Sequence, residues 1–229
     1  EGVVKAQTPR PPEKVFTFAE LEAAHKKSPD DPDLAARLAG EYLRRDKPDD
    51  ARKLLDAVRA KDKTHPGAAL VLSRLLKRAK DIPGAQSALE EAIGAHSDDS
   101  RLRLELGKLF FEQKEFDKAA AQFEHGRKVA PGEGDWLEQL ARVYEAARKP
   151  DQLAGVLEAL TATNPDDLAL ALRLAKLYAN ADKHADVERV ARRALHIDVL
   201  NAQAKELLFS ALAAQKKDKE LETLRNRYQ

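Results

Sequence analysis

The chain has 229 residues and a formal net charge of +1 although 34% of its residues are charged, so no global field draws it onto nucleic acid or an anionic membrane. It contains no cysteine, which excludes disulfides, thiolate metal sites and cysteine nucleophiles together. No apolar run approaches the roughly 18 residues that a membrane-spanning helix needs.

From the N-terminus, "EGVVKAQTPRPPEKV" (residues 1–15) has neither the apolar core of a signal peptide nor a helical period. It reads as a linker or disordered N-terminal segment, and with Glu1 rather than Met at its head the chain reads as a piece of something longer or processed. A lone helix is predicted over 16–28. From residue 32 onward one pattern repeats every 34 residues without insertion or deletion. In "LGKLFFEQKEFDKAAAQFEHGRKVAP" (106–131), Leu106-Gly107 followed by Phe110 opens the pattern. It recurs at Leu38-Ala39 with Tyr42, Leu72-Ser73 with Leu76, Leu140-Ala141 with Tyr144, Leu174-Ala175 with Tyr178 and Leu208-Phe209 with Leu212. The second half, Ala119 with Phe123, recurs at Ala51 with Leu55, Ala85 with Leu89, Leu153 with Leu157 and Val187 with Ala191. Units therefore start at 32, 66, 100, 134, 168 and 202.

Within a unit the apolar residues lie at helical spacing in two stripes of about a dozen residues, each marginal alone. Two stripes make a hairpin, and the hairpin's open apolar side is covered only by the next hairpin, so the array stacks in one dimension. The small residues Gly107, Ala119 and Gly126 let helix backbones approach closely. The spacing and the placement of these residues resemble the tetratricopeptide repeat. That resemblance covers almost everything after residue 15 and implies an all-α fold, a superhelical solenoid of antiparallel helix pairs running as one domain over 16–229. The last unit departs most, with Phe209 at the small position and Arg225 at a large apolar one.

The turns agree with this reading. Asp49, Asp117 and Asp151 are expected to N-cap the second helices, and "SPDDP", "HSDDS" and "NPDD" to cap the helix that opens the next unit. The final helix, "KKDKELETLRNRYQ", offers Leu221 and Leu224 and is otherwise polar, as suits an array end. Catalytic and metal constellations are not found. The six histidines (His25, His65, His96, His125, His184, His196) form no i, i+4 pair and no HExxH motif, and read as solvated side chains. "PGEGDW" lacks the lysine of a phosphate loop, and the paired aspartates lack the spacing of a calcium loop. No catalytic residue, metal or cofactor is expected.

What remains is surface. In tetratricopeptide arrays the first helix of each unit lines a concave groove, which the resemblance implies here for the second, fifth, sixth, ninth, twelfth and thirteenth residues of each unit. In the first three units those places hold Arg37, Arg44, Arg74, Lys77, Arg78, Arg101 and Lys108 against Asp33, Glu105 and Glu112, with Leu70, Leu104 and Phe111 among them. The ninth place reads Arg74, Lys108, Arg142 and Lys176 in four consecutive units. A basic groove with apolar pockets suits an acidic, partly hydrophobic peptide. Family members that clamp a C-terminal carboxylate use Asn where this chain has Gly40 and Val71, so the resemblance does not extend to that clamp. The expected function is a non-catalytic protein–protein interaction scaffold, monomeric as this fragment. The alternative is a C-terminal accessory segment of a larger enzyme, for example a bacterial metallopeptidase, whose catalytic domain precedes residue 1. Single-stranded nucleic acid is disfavoured because the groove has no regular row of aromatic side chains to stack bases.

Overall fold

The structure, a computed structural model, describes residues 16–132 and 135–228. The stretch read as a linker and Gly134, the expected start of the fourth unit, lie outside the described residues. Among the described residues there are thirteen α-helices and no strand, and the chain divides into two units, residues 1–136 and 137–229.

The first unit contains α1 (Phe18–Lys27), α2 (Pro32–Arg44), α3 (Pro48–Lys61), α4 (Pro66–Arg78), α5 (Ile82–Ala95), α6 (Ser100–Glu112) and α7 (Phe116–Val129), and closes on Trp136, the first residue of α8 (Trp136–Ala146). Here α2 packs on α3, α4 on α5 and α6 on α7, and α4 also touches both α2 and α6. The second unit holds the rest of α8, then α9 (Pro150–Thr163), α10 (Leu168–Asn180), α11 (His184–Ile197), α12 (Ala202–Ala214) and α13 (Asp218–Tyr228). In it α10 packs on α9, α11 and α12, and α12 packs on α11 and α13. The architecture is all-α, built of consecutive antiparallel helix pairs.

The chain breaks at the same point in every hairpin because the backbone turns left-handed there. Asp46, Lys80, Lys114, Arg148, Asp182 and Lys216 have φ between 54° and 62°, and none is glycine. The residue after each returns its N–H to a carbonyl five residues back: Lys47 to Tyr42, Asp81 to Leu76, Glu115 to Phe110, Lys149 to Tyr144, Lys183 to Tyr178 and Lys217 to Leu212, at 2.9–3.0 Å. This is the Schellman closure, which satisfies carbonyls that a helix end would otherwise leave unpaired. The accepting residues are the large members of the repeat pattern, so one position both fills the core and ends the helix. Left-handed backbone costs a residue with a Cβ about 1–2 kcal/mol. Lys114→Gly is accordingly expected to stabilise the chain by about 0.5–1 kcal/mol after the entropic penalty of glycine, read as a higher urea midpoint. An unchanged or lower midpoint counts against the strain argument.

This closure also corrects the expected caps. It makes Lys47, Glu115 and Lys149 the N-cap residues of α3, α7 and α9, and none of them makes a side-chain cap bond. Asp49, Asp117 and Asp151 fall inside the first turn instead, where a carboxylate still favours the positive end of the helix dipole. Between hairpins the caps are as expected: Asp31, Asp99 and Asp167 accept from the first backbone N–H groups of α2, α6 and α10. His65 departs from the solvated reading. Its ring is buried, its Nδ1 accepts from Ala68 N–H at 3.2 Å and its Nε2 lies 3.5 Å from Asp33, so it serves as the cap of α4.

Packing follows the repeat. Leu38, Leu72, Leu106, Leu140, Leu174 and Leu208 are each at most 3% exposed, as are Leu55, Leu89, Phe123, Leu157 and Ala191 in the second helices. At two of the large positions the residue is a tyrosine whose ring, buried at Tyr178 and half-buried at Tyr42, brings a hydroxyl that a carboxylate of the preceding helix accepts from. Tyr178 donates to Glu158 at 2.7 Å and Tyr42 to Glu22 at 3.1 Å. Burial, then the bond to Glu158, pushes the Tyr178 hydroxyl up to about 12. Burial alone would raise Glu158, but hydrogen bonds from Arg189 and Tyr178 outweigh it and hold the carboxyl below its ordinary value. The two departures in the last unit answer each other: the Arg225 guanidinium lies 5.9 Å from the centroid of the Phe209 ring.

Candidate functional site

In the first unit the groove positions of α2, α4 and α6 line two adjoining depressions that share Arg74. One, about 370 Å³, is lined by Arg37, Gly40, Arg44, Leu70, Val71, Arg74 and Arg101 among others. The other, about 390 Å³, has Ala85, Leu89 and Leu109 as its apolar lining and Arg74, Lys77, Arg78 and Lys108 as its bases. Capped helix starts hold this surface in place, because α2, α4 and α6 each begin at an Asp or His side chain bonded to backbone N–H groups.

The bases are largely engaged with carboxylates, which composition along a helix face could not show. Arg74 donates to Glu105 at 3.1 Å and Lys77 to Glu112 at 2.5 Å, each linking α4 to α6. Arg78 reaches back to Asp46 at 2.5 Å and to the Leu43 carbonyl at 3.2 Å, tying α4 to the turn before α3. Arg44 pairs with Glu41 on its own helix. Arg101 pairs with Asp99 at 2.7 Å. Burial would raise the Asp99 carboxyl, but the bonds from Arg101 and Leu102 prevail and keep it below its ordinary value, so this cap stays charged. Lys108, on α6, has no ion-pair partner among the described residues, and it stands beside the apolar patch of Leu89 and Leu109.

The remaining sequence-predicted residues are distributed differently. Leu70 is buried in the wall of the smaller depression, while Leu104 is half-buried and lines neither depression. Phe111 lies against Phe116 of α7, ring centroids 5.8 Å apart, so its face is shared with its own hairpin. Arg142 and Lys176 are exposed residues of the second unit, and Arg142 donates to Gln139 at 3.5 Å. At the place of the family's carboxylate clamp, a Cβ on Gly40 would sit 3.5 Å from Val71, so the wall there is a close apolar contact. Sequence reasoning missed Glu41 and the α5 residues Ala85 and Leu89, which line the depressions from outside the groove positions. Among the described residues no group of three or more His, Cys, Asp or Glu side chains is placed to hold a metal, and no helix is long and apolar enough to cross a membrane.

The sequence model of the tetratricopeptide repeat matches residues 18–75 and 76–143. Comparison with curated proteins gives no match. Among solved structures, one from the functional characterisation of Pseudomonas aeruginosa pilF is similar with a TM-score of 0.54 at 18% identity, covering 84% of this chain and 87% of that one. A tetratricopeptide repeat protein of Parabacteroides merdae gives 0.54 at 15% identity over 89% of this chain and 81% of its own. YrrB, described as having an unusual peptide-binding site, gives 0.51 at 14% identity over 73% of this chain and 86% of its own. At these identities the likeness is one of fold.

Proposed function

Because the chain belongs to the tetratricopeptide repeat family, whose members serve as protein–protein interaction scaffolds, we propose that its first unit binds an extended protein segment across the two depressions. The segment places a carboxylate on Lys108 and apolar side chains against Leu89–Leu109 and Gly40–Val71. One observation carries this reading: Lys108 is a cation without an ion-pair partner among the described residues, beside an apolar lining. A charge in that setting gains from an incoming carboxylate without first giving up one of its own. The paired bases around it support the same ligand, since exposed pairs such as Arg74–Glu105 contribute only about 0–1 kcal/mol and exchange partners at little cost. The reading is also supported by the peptide-binding site described for YrrB, a protein of similar fold.

The test must avoid Arg78, because reversing it would place a new carboxylate beside Asp46 and disturb the link between hairpins. Lys108→Gln removes the cation without breaking an ion pair and without adding a carboxylate beside Glu105 and Glu112. Peptides selected on the parent chain from a random acidic-aliphatic library are expected to bind this variant about tenfold more weakly, with the same thermal midpoint. Equal binding by parent and variant, or a library that yields no binder, sinks the assignment.

A further inference from the structure

The turn between α11 and α12 differs from its equivalents. At the places one and two residues past the helix C-cap, the other turns carry Pro29-Asp30, Lys63-Thr64, Ser97-Asp98, Pro131-Gly132 and Pro165-Asp166, whereas this one carries Val199-Leu200. Among the described residues these two are the exposed large hydrophobic ones, 54% and 76% exposed. The turn is also tightly held. The Asp198 carboxylate accepts from Leu200 N–H at 3.0 Å, Asn201 N–H donates to the Asp198 carbonyl at 3.2 Å, and the Asn201 side chain accepts from Ala204 N–H at 3.0 Å. Beside it lies a depression of about 300 Å³ between α11, α12 and α13, with Leu195, Val199, Leu208 and Tyr228 in its wall. Its ionisable lining is Arg192, His196, Arg227 and Tyr228, and no carboxylate lines it. Arg192 is already shared by Glu188 and Glu220, but Arg227 has no ion-pair partner among the described residues.

We infer that this surface of the second unit is a second docking site, for a short protein segment in which an aliphatic side chain is flanked by carboxylates. The aliphatic side chain enters the depression against Leu195, Val199 and Leu208, with Leu200 on the adjoining turn covering its outer side, and a carboxylate meets Arg227. Charge complementarity selects this occupant. A second copy in a two-fold arrangement would bring the same guanidinium groups, Arg192 and Arg227, to both sides of the contact with no carboxylate in the lining, at a repulsive cost. An anionic membrane would meet Asp166, Asp167 and Asp198, because the turns before α10 and α12 lie at the same end of two helices that pack together. A preformed turn lowers the ordering cost of such a contact, which is where rigid apolar anchors gain affinity.

The probe is a fluorescent synthetic peptide of two leucines flanked by glutamates, with a control in which lysines replace the glutamates. Amide shifts of the labelled chain are followed during titration. Binding of the acidic peptide is expected to shift the amides of residues 196–200 and 227–228, and the lysine peptide is expected to leave them in place. Leu200→Ser and Arg227→Glu should each weaken binding at least about fivefold, at an unchanged thermal midpoint because both side chains are exposed. Lys108→Gln should leave these shifts intact. Shifts confined to the first unit, around Gly40, Val71 and Lys108, overturn this inference and leave the groove proposal standing; shifts confined to 196–228 do the reverse. A concentration-dependent dimer that Leu200→Ser converts to monomer, or retention on phosphatidylserine vesicles that the same change abolishes, assigns the surface to another occupant and overturns the inference too.

Discussion

Phe123→Ala is expected to remove about 3–5 kcal/mol of unfolding free energy, the range for deleting a fully buried aromatic side chain. The ring is 1% exposed, and its site was made by an absence: a Cβ on Gly107 would stand 2.8 Å from Phe123 Cδ1. Across the core the ring centroid is 6.5 Å from that of Trp136. Truncation therefore opens a space that Gly107 has no side chain to refill, while Trp136 is kept from moving in by the hydrogen bond from its Nε1 to the Ala130 carbonyl at 2.9 Å. The site relaxes little, which places the loss toward the upper end. Trp136 is the single tryptophan of the chain, so its fluorescence in a urea titration reports on this region directly, even if the repeats do not unfold as one unit. A loss below about 1 kcal/mol would mean that the surrounding helices close the cavity, against the rigidity argued here.

The same small change, glycine to alanine, is expected to have opposite signs at Gly126 and Gly155. In a helix interior the substitution ordinarily gains about 1 kcal/mol of propensity. A Cβ on Gly126 would lie 2.5 Å from Trp136 Cζ3 and 2.9 Å from Cζ2, distances that force the indole to move. Its Nε1–H is bound to Ala130 and the residue is 3% exposed, so motion breaks a buried hydrogen bond. Overpacking of about 1–3 kcal/mol together with that lost bond outweighs the propensity gain, giving a net destabilisation of about 1–2 kcal/mol. Around Gly155 a Cβ meets nothing within 4 Å, and Gly155→Ala is expected to stabilise by up to about 1 kcal/mol. Urea midpoints of the two variants decide the matter: movement in the same direction for both would show that helix propensity, not contact with Trp136, governs position 126.

Much of this was legible from residues alone. A period of 34 is a statement about side-chain volume at fixed intervals, and volume is written in the sequence: leucine at 38, 72, 106, 140, 174 and 208 could only be core. The aspartates at 31, 99 and 167 likewise announced caps, because a carboxylate before a helix start has local work to do. Asp49, Asp117 and Asp151 were misplaced by two residues because a left-handed turn can be built without glycine, and the lysine or arginine that holds four of the six turn positions does not advertise a positive φ. His65 was misjudged because burial at a junction depends on α2 and α4 lying side by side.

The sequence by itself determined the helix-pair repeat, its register and the side chains that fill it, since each of these depends on contacts within one hairpin or with the next copy of the same pattern. Only the tertiary structure decided which charges are available. Seven bases against three acids on the groove positions of three units looked like a positive field, yet Glu41, Asp46 and Asp99, outside those positions, close on Arg44, Arg78 and Arg101. Arg44–Glu41 and Arg101–Asp99 are neighbours in the chain, but Arg74–Glu105 and Arg78–Asp46 join groups 31 and 32 residues apart, and that distance exists only once the helices have packed.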